Sequence, residues 1–273
     1  MGLVPIHDSA DPMLAARVAD DIEQFGVSAA AGVVAPERVR ELSAGVDRAL
    51  ADDAAWYPSG RQMDTGRVVF LPRYGREFLD LLEDPTMMSP CDRILGPSCT
   101  LYTMTTLCQP PGYEGRPQHV DTEYAVPGFT VGLGVMVVLD DFTLESGPTR
   151  FHPDVTVEEP DPGDFERRAL RLEAPAGSVC WFHGRIWHDA MANTTDRWRR
   201  AILMAVVRPW VRQRFDMARM VSHLDVRSMS PAIRQKLGFA MIAPGSYEEF
   251  FLPDETRREE LLRRASARGG DGG

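Results

Sequence analysis

Between residues 98 and 207 the chain reads as a succession of short extended segments, 98–108, 130–139, 148–151, 169–173, 178–182, 186–191 and 200–207, separated by turn residues with no helical period between them. Parallel strands need long crossovers, usually helical. This spacing therefore argues against a doubly wound sheet and for antiparallel strands forming a barrel or a two-sheet jelly roll. The flanks differ in character. Asp11 and Pro12 open a helical stretch with Leu14, Val18, Ile22 and Phe25 on one face, and Gly26 ends it. Gly26 to Val34 reads as a strand, and Pro36 begins a helix carrying Val39, Leu42, Val46 and Leu50. Further helical segments fall at 75–83 and 86–95, and residues 212–266 return to helix and loop. The expected architecture is mainly β with helices: a double-stranded β-helix (jelly roll, cupin-like) core over about 98–208. Helical support at 11–95 and a C-terminal helical or lid segment at 212–266 complete one domain spanning 1–266, and 267–273 form a disordered tail.

Composition removes several function classes. The 273 residues carry 40 acidic and 30 basic side chains, a formal net charge of −10, so the overall field repels a phosphate backbone and nucleic acid is not an expected partner. Lys236 is the one lysine, which excludes a G-x-x-x-x-G-K-[ST] loop and leaves a Schiff-base enzyme only a residue in an ordinary helical stretch. GLGVMV at 132–137 ends on valine where a dinucleotide fingerprint needs glycine, and there is no G-x-S-x-G elbow. The first residues lack a basic segment followed by an apolar run, and the longest apolar stretch, Val131 to Leu139, is interrupted by Gly132 and Gly134. Neither export nor a membrane span is expected. Cys91, Cys99, Cys108 and Cys180 form no C-x-x-C pair and read as reduced, buried thiols of a cytoplasmic protein.

Chemistry then falls to histidine, of which there are six, at 7, 119, 152, 183, 188 and 223. In Gln118-His119-Val120-Asp121 an extended backbone points His119 and Asp121 the same way, so an imidazole and a carboxylate can converge as two metal ligands. Alone, H-x-D reads more readily as a hydrogen-bonded surface pair. A later strand carries Trp181-Phe182-His183-Gly184-Arg185-Ile186-Trp187-His188, which offers a third ligand, and Arg197, Arg199 and Arg200 follow. Two histidines and one carboxylate leave three positions open on an octahedral ion, the arrangement of non-haem Fe(II) oxygenases. A 2-oxoglutarate co-substrate would need its distal carboxylate gripped by an arginine fork.

These segments resemble the phytanoyl-CoA dioxygenase family of Fe(II)/2-oxoglutarate oxygenases. The likeness runs from about Gly26-Val27 through Arg208 and includes GVVAPERVRELSAGVDRAL, the H-x-D, the turn Glu145-Ser146-Gly147-Pro148-Thr149 and the block ending W-R-R-A-I-L. In that family an asparagine stands five residues and an arginine eleven residues after the distal histidine. Counting from His188 gives Asn193 and Arg199. The resemblance thus implies that Fe(II) is held by His119, Asp121 and His188, which are also the catalytic centre, with Arg199 and Asn193 at the co-substrate. His183, an odd number of positions from His188, falls on the other face.

The chain departs from the family after the E-x-G-P turn, where Phe151-His152-Pro153-Asp154 replaces the usual P-G-S-H, and at Ala190, where a serine is common. For the C1 end of 2-oxoglutarate the candidates are therefore Tyr102, Met104, Thr106 and Cys108 of the preceding strand, with Tyr102 and especially Thr106 able to hydrogen-bond. A carboxylate at position 121 occupies the place that halogenases leave to a halide, so the resemblance implies C–H oxidation with Fe(II), 2-oxoglutarate and O2, releasing succinate and CO2. Hydroxylation or oxidative cyclisation, desaturation and epimerisation all remain open, as does a silent metal-binding sensor.

The expected partner is a small molecule, with the protein a monomer or homodimer. Arginine-rich, lysine-poor composition accords with a GC-rich bacterial genome, where such enzymes tailor secondary metabolites, antibiotics among them. Trp56, Tyr57, Arg61, Phe70, Arg73 and Tyr124 are the candidate substrate contacts. Each could equally pin a loop to the core.

Overall fold

Every strand segment expected from the sequence pairs in one of two facing sheets. The computed structural model describes residues 2–56, 66–122, 126, 128–221, 224, 228–241, 244, 246–253, 255–257 and 259. Two short strands, β1 (Gly2–Leu3) and β2 (Ile6–Asp8), precede α1 (Leu14–Phe25), β3 (Val27–Ala31) and α2 (Pro36–Asp53). Then come α3 (Arg76–Leu79) and α4 (Pro85–Leu95), followed by β4 (Thr100–Thr106), β5 (Arg116–His119), β6 (Gly132–Val138) and β7 (Thr149–Phe151). After α5 (Pro162–Arg168) run β8 (Leu170–Arg171), β9 (Val179–His183), β10 (His188–Ala190) and β11 (Ala201–Val207). Short helices α6 (Met217–Met220), α7 (Pro231–Lys236) and α8 (Tyr247–Phe250) close the described chain. No helix of the described residues is long and apolar enough to cross a membrane.

The smaller sheet has strand order β1-β8-β7-β10-β5 and the larger β2-β3-β9-β6-β11-β4. Between β4 and β11 neighbouring strands are antiparallel, as a jelly roll requires. The N-terminal strands add the parallel pairs β1–β8 and β2–β3 at the edges. The segment from 2 to 8 thus belongs to the sheets, a contribution too short for its pattern to reveal. Helix α5 was likewise not expected within the core. Its Asp161 N-cap accepts from Asp164 N and Pro162 takes the first helical position, but seven residues are too few to display a period.

The larger sheet is covered on both faces, and every residue of β6 is buried. On one side Leu14, Val18 and Ile22 of α1 join Val135, Val137, Val179, Trp181, Ile202 and Met204 in a cluster. Each fully buried aliphatic side chain there contributes about 1.5–3 kcal/mol. Trp181 Nε1 also donates to Met87 O of α4 at 3.0 Å. Gly26, at φ 74°, ends α1, and a Cβ there would meet Ile186 at 2.8 Å, so glycine is needed twice over. On the other side Val27, Met136, Cys180, Phe182 and Ala201 face Phe142 and Phe151 across the barrel interior. All four cysteines are buried and free, as read from their spacing.

Register aligns one interior row across four strands: Phe182, Gly134, Ala205 and Thr103. The Phe182 ring lies over Gly134, where a Cβ would stand 2.1 Å from its Cζ. Gly134→Ala should therefore displace the ring and cost about 1–3 kcal/mol by overpacking. Urea denaturation of the two proteins measures this, and equal midpoints would show that the ring does not depend on the glycine.

Candidate active site

Strand β10 pairs antiparallel with β5 so that His188 stands directly opposite His119, with ring centroids 4.2 Å apart. Asp121 follows His119 by two residues, and its Oδ1 lies 3.9 Å from His188 Nε2. One donor atom from each of His119, Asp121 and His188 lies within 4.8 Å of the others. Pro117 O is 2.9 Å from His119 Nδ1 and Ile186 O is 3.0 Å from His188 Nδ1. Carbonyls only accept, so both Nδ1 atoms carry the proton and both Nε2 atoms keep a free lone pair. Burial and the neighbouring His188 imidazole hold His119 well below the ordinary histidine range, hence neutral. Two imidazoles and a carboxylate fit a hard-to-borderline divalent ion with open positions.

The pairing is held from behind. Arg150 of β7 grips Asp189 through Nε (3.0 Å) and Nη2 (2.5 Å) and reaches Glu166 of α5 at 2.7 Å, locking β10 between its neighbours. Phe151 and Phe182, with ring centroids 5.9 and 5.4 Å from His188, form the apolar wall beside it.

Deeper in the barrel, Arg199 is fully buried and has no carboxylate within ion-pair distance among the described residues. Its Nη1 donates to Gly147 O at 2.6 Å and its guanidinium stacks 4.2 Å from the Phe142 centroid, while Nε has no partner. Gln109, with its amide oxygen toward Arg199, accepts from Nη2 at 3.3 Å and donates to Gly147 O at 3.2 Å. Burial lowers the guanidinium to about 10, so it is still a cation at neutral pH. The hydroxyls of Thr103 and Thr149, on interior positions of β4 and β7, are also buried without partners. A buried cation and unfilled hydrogen-bonding groups in one barrel fit an anionic, oxygen-rich ligand such as a dicarboxylate. Neighbouring arginines are committed elsewhere or exposed: Arg200 binds Asp47 and Asp140, and the Arg197 side chain is 86% exposed.

Several sequence expectations need correction. Thr106 does not face the barrel interior, and Tyr102 falls at a bulge of β4, without a register partner on β11. Thr106 is paired with Ile202 and Met104 with Met204, both on the helix-covered face, and the inward row of β4 is Thr103 and Thr105. Thr106 Oγ1 accepts from Val68 N and donates to Gly66 O, fastening the 66–68 segment alongside β4. Asn193 is also fully engaged. Its Nδ2 donates to Gln109 O, Pro110 O and Arg197 O, and its Oδ1 accepts from Thr195. It braces the segment before β11 that carries Arg199 and leaves no group for a ligand. Phe70 packs edge-on against Phe215 in the helix-side core, and Arg73 lies on an exposed turn of 3-10 helix. Tyr57, Arg61, Tyr124 and the Trp56 side chain lie outside the described residues.

Two features went unread in the sequence. Gln109, two residues beyond Leu107 on the inward row, was within reach of the alternation argument once the row was known. A cleft of about 950 Å³ is bounded by Thr122, Phe129, Gly132, His183, Gly184 and Arg185; it reaches the donor cluster only through Thr122, the residue after Asp121. His183 thus lines this cleft and stands apart from the His119, Asp121 and His188 cluster.

Fold and site together define a class: oxygenases in which a double-stranded β-helix holds a non-haem iron and binds 2-oxoglutarate. The family model described as Phytanoyl-CoA dioxygenase (PhyH) matches residues 22–201, and the chain belongs to that family. It is a non-haem Fe(II)- and 2-oxoglutarate-dependent dioxygenase, with O2 as the second co-substrate. Among its relatives, the uncharacterized protein Rv1501 of Mycobacterium tuberculosis is 25% identical over 206 residues, covering 72% of this chain and 76% of that protein. Dioxygenase af480 of Aspergillus fumigatus is 28% identical over 145 residues, or 51% of this chain and 47% of that protein. The fold is similar to that of SnoN, a non-haem α-ketoglutarate-dependent epimerase from nogalamycin biosynthesis, with TM-score 0.60 and 22% identity over 73% of this chain and 84% of that one. SnoK, a carbocyclase from nogalamycin biosynthesis, matches with TM-score 0.59 and 19% identity over 71% and 84%.

The depressed His119 carries a stability consequence. Its neutral form is favoured in the folded state, so its contribution is complete above the unfolded value of about 6.5 and is lost as pH falls below it, since protons then bind the unfolded chain preferentially. In metal-free protein, His119→Asn should flatten the decline in thermal midpoint between about pH 6.5 and 4.5 relative to wild type. Parallel pH profiles would show that His119 titrates normally.

Proposed function

We propose that His119, Asp121 and His188 hold Fe(II), that Arg199 anchors the distal carboxylate of 2-oxoglutarate, and that the enzyme oxidises an unactivated C–H bond of a small natural-product intermediate. The observation that carries this reading is the buried, carboxylate-free Arg199 in the same barrel as the convergent His-Asp-His donors. When bound, iron with 2-oxoglutarate and O2 supplies the oxidant, with succinate and CO2 as by-products. The chain's own residues do the rest. The carbonyls of Pro117 and Ile186 fix the imidazoles, Phe151 and Phe182 keep water from one side, and Gln109 with Gly147 O orients the arginine fork. Thr103 and Thr149, with free buried hydroxyls, take the co-substrate role first expected of Thr106. The 950 Å³ cleft next to Thr122 is the site of substrate, and its size and mixed lining suit a multi-ring molecule bearing polar groups. Natural-product tailoring draws support from SnoN and SnoK, both enzymes from nogalamycin biosynthesis. Four buried free thiols accord with a cytoplasmic setting.

Anaerobic titration should give one Fe(II) per chain. His188→Ala should abolish iron-dependent succinate release, while His183→Ala should keep iron bound. The reverse result would move the distal ligand to His183. Arg199→Ala should weaken 2-oxoglutarate by about one to two powers of ten or more, and Arg199→Lys, which keeps charge but not the fork, should recover part of it. Unchanged affinity in Arg199→Ala would remove the anchor from this residue. Product mass separates the reactions: a gain of one oxygen marks hydroxylation, and a loss of two hydrogens marks cyclisation or desaturation. Unchanged mass with inverted stereochemistry marks epimerisation. With Asp121 present, no chlorinated product is expected in excess chloride.

A further inference from the structure

Lys236, the chain's one lysine, is not on the surface where lysines ordinarily sit; it is 4% exposed. Its Nζ lies 2.9 Å from Cys99 Sγ and 2.5 Å from Asp92 Oδ1, and Cys99 Sγ is 3.4 Å from that same carboxylate oxygen. The three groups come from α7, from the last turns of α4 and from the link between α4 and β4, outside the candidate active site. An ion pair between α7 and α4 needs only Lys236 and Asp92. The thiol in direct contact with the amine goes beyond that need, and an arginine, the basic residue used everywhere else in this chain, would not present a primary amine to it.

We propose that Cys99 and Lys236 form an oxidative modification site, at which a peroxide joins Sγ to Nζ through a single bridging oxygen. Overall, one thiol, one amine and two molecules of hydrogen peroxide give the S–O–N link and three waters. The S–H bond and one N–H bond break, and one S–O and one N–O bond form. Sulfur and nitrogen each lose two electrons, and the two peroxide O–O bonds take up the four. Oxidation of the sulfur to a sulfenic acid is the first rung of ordinary cysteine chemistry. The amine is then held at the sulfenic oxygen by the contact already present, a separation that one bridging atom spans. Asp92 touches both proton-bearing groups and its side chain is 40% exposed, so it relays the ammonium and thiol protons to water. Cys91, Cys108 and Cys180 are buried too, and the chain has no second lysine to offer them. The link would clamp α7, and with it the C-terminal segment, onto α4 across a sequence separation of 137 residues.

Treating the purified full chain with hydrogen peroxide and recording its intact mass without reductant should show a gain of about 14 Da, one oxygen added and two hydrogens lost. Reductant should reverse the gain. Peptide mapping of the wild type should place the link between the Cys99 and Lys236 peptides, and the thermal midpoint should rise by several degrees on oxidation. Cys99→Ser and Lys236→Arg should both lack the 14 Da species. Because the wild-type peptide map decides the matter alone, an unstable variant does not rescue the proposal. A loss of 2 Da, signalling a disulfide with Cys91 or a direct S–N bond, would overturn it. So would irreversible sulfinic or sulfonic acid at Cys99 with Lys236 free. An unmodified Cys99 after the exposed Met13 has become sulfoxide would overturn it as well.

Discussion

One antiparallel pairing, His188 of β10 opposite His119 of β5, sets the geometry on which the site depends. Side chains alternate along a strand, so a slip of one residue would turn His119 and Asp121 together away from His188. Strand β10 has only three residues, too few for its ladder alone to resist such a slip. Its register is set by side chains: Asp189 is seized by the Arg150 fork on one face while His188 packs against Phe151 and Phe182 on the other. The same alternation thus serves both ends, with the odd residue as clamp and the even residues turned toward the interior. Asp189 is buried and charged, a costly arrangement unless paired, and that cost is what makes the wrong register unfavourable.

Much of the fold and the donor cluster was legible because both rest on short-range rules. Seven strand segments declared themselves by turn residues and apolar runs, and H-x-D needed only the two-residue period. His183 was set aside from His188 by the same parity. The inward row of β4 was illegible for a physical reason. Alternation divides Thr103 to Thr106 into two rows, but helices cover one face of this sheet and the other sheet covers the second, so every one of these residues is buried. Hydropathy then carries no information about which row faces the barrel. Thr106, polar and apparently out of place in the core, looked like a ligand contact, but its hydroxyl satisfies the backbone of a chain segment lying alongside β4.

Asn193 teaches the complementary lesson. Five residues after His188 it occupies the position the family pattern marks, and it is nearly fully buried, yet its amide spends its donors on three carbonyls of two separate segments. Those bonds hold Gln109 and Pro110 against the turn before β11, and Gln109 in turn reaches Arg199 and Gly147. A residue can therefore sit at a fixed offset from His188 for the sake of the arginine's placement.

Arg199 shows what such bracing is for. A guanidinium removed from water without a counter-ion costs several kcal/mol, and the Phe142 face with the Gly147 carbonyl recovers only part of that. The unpaired hydroxyls of Thr103 and Thr149 add their own desolvation cost. The Phe142 ring on one side and the Asn193–Gln109 network on the other hold the guanidinium in place. Under the proposed assignment a carboxylate would supply the guanidinium with the counter-ion it lacks, which a neutral molecule would not. Under the proposed function, 2-oxoglutarate affinity would therefore depend on Asn193 and Gln109, which direct the guanidinium without touching the ligand themselves.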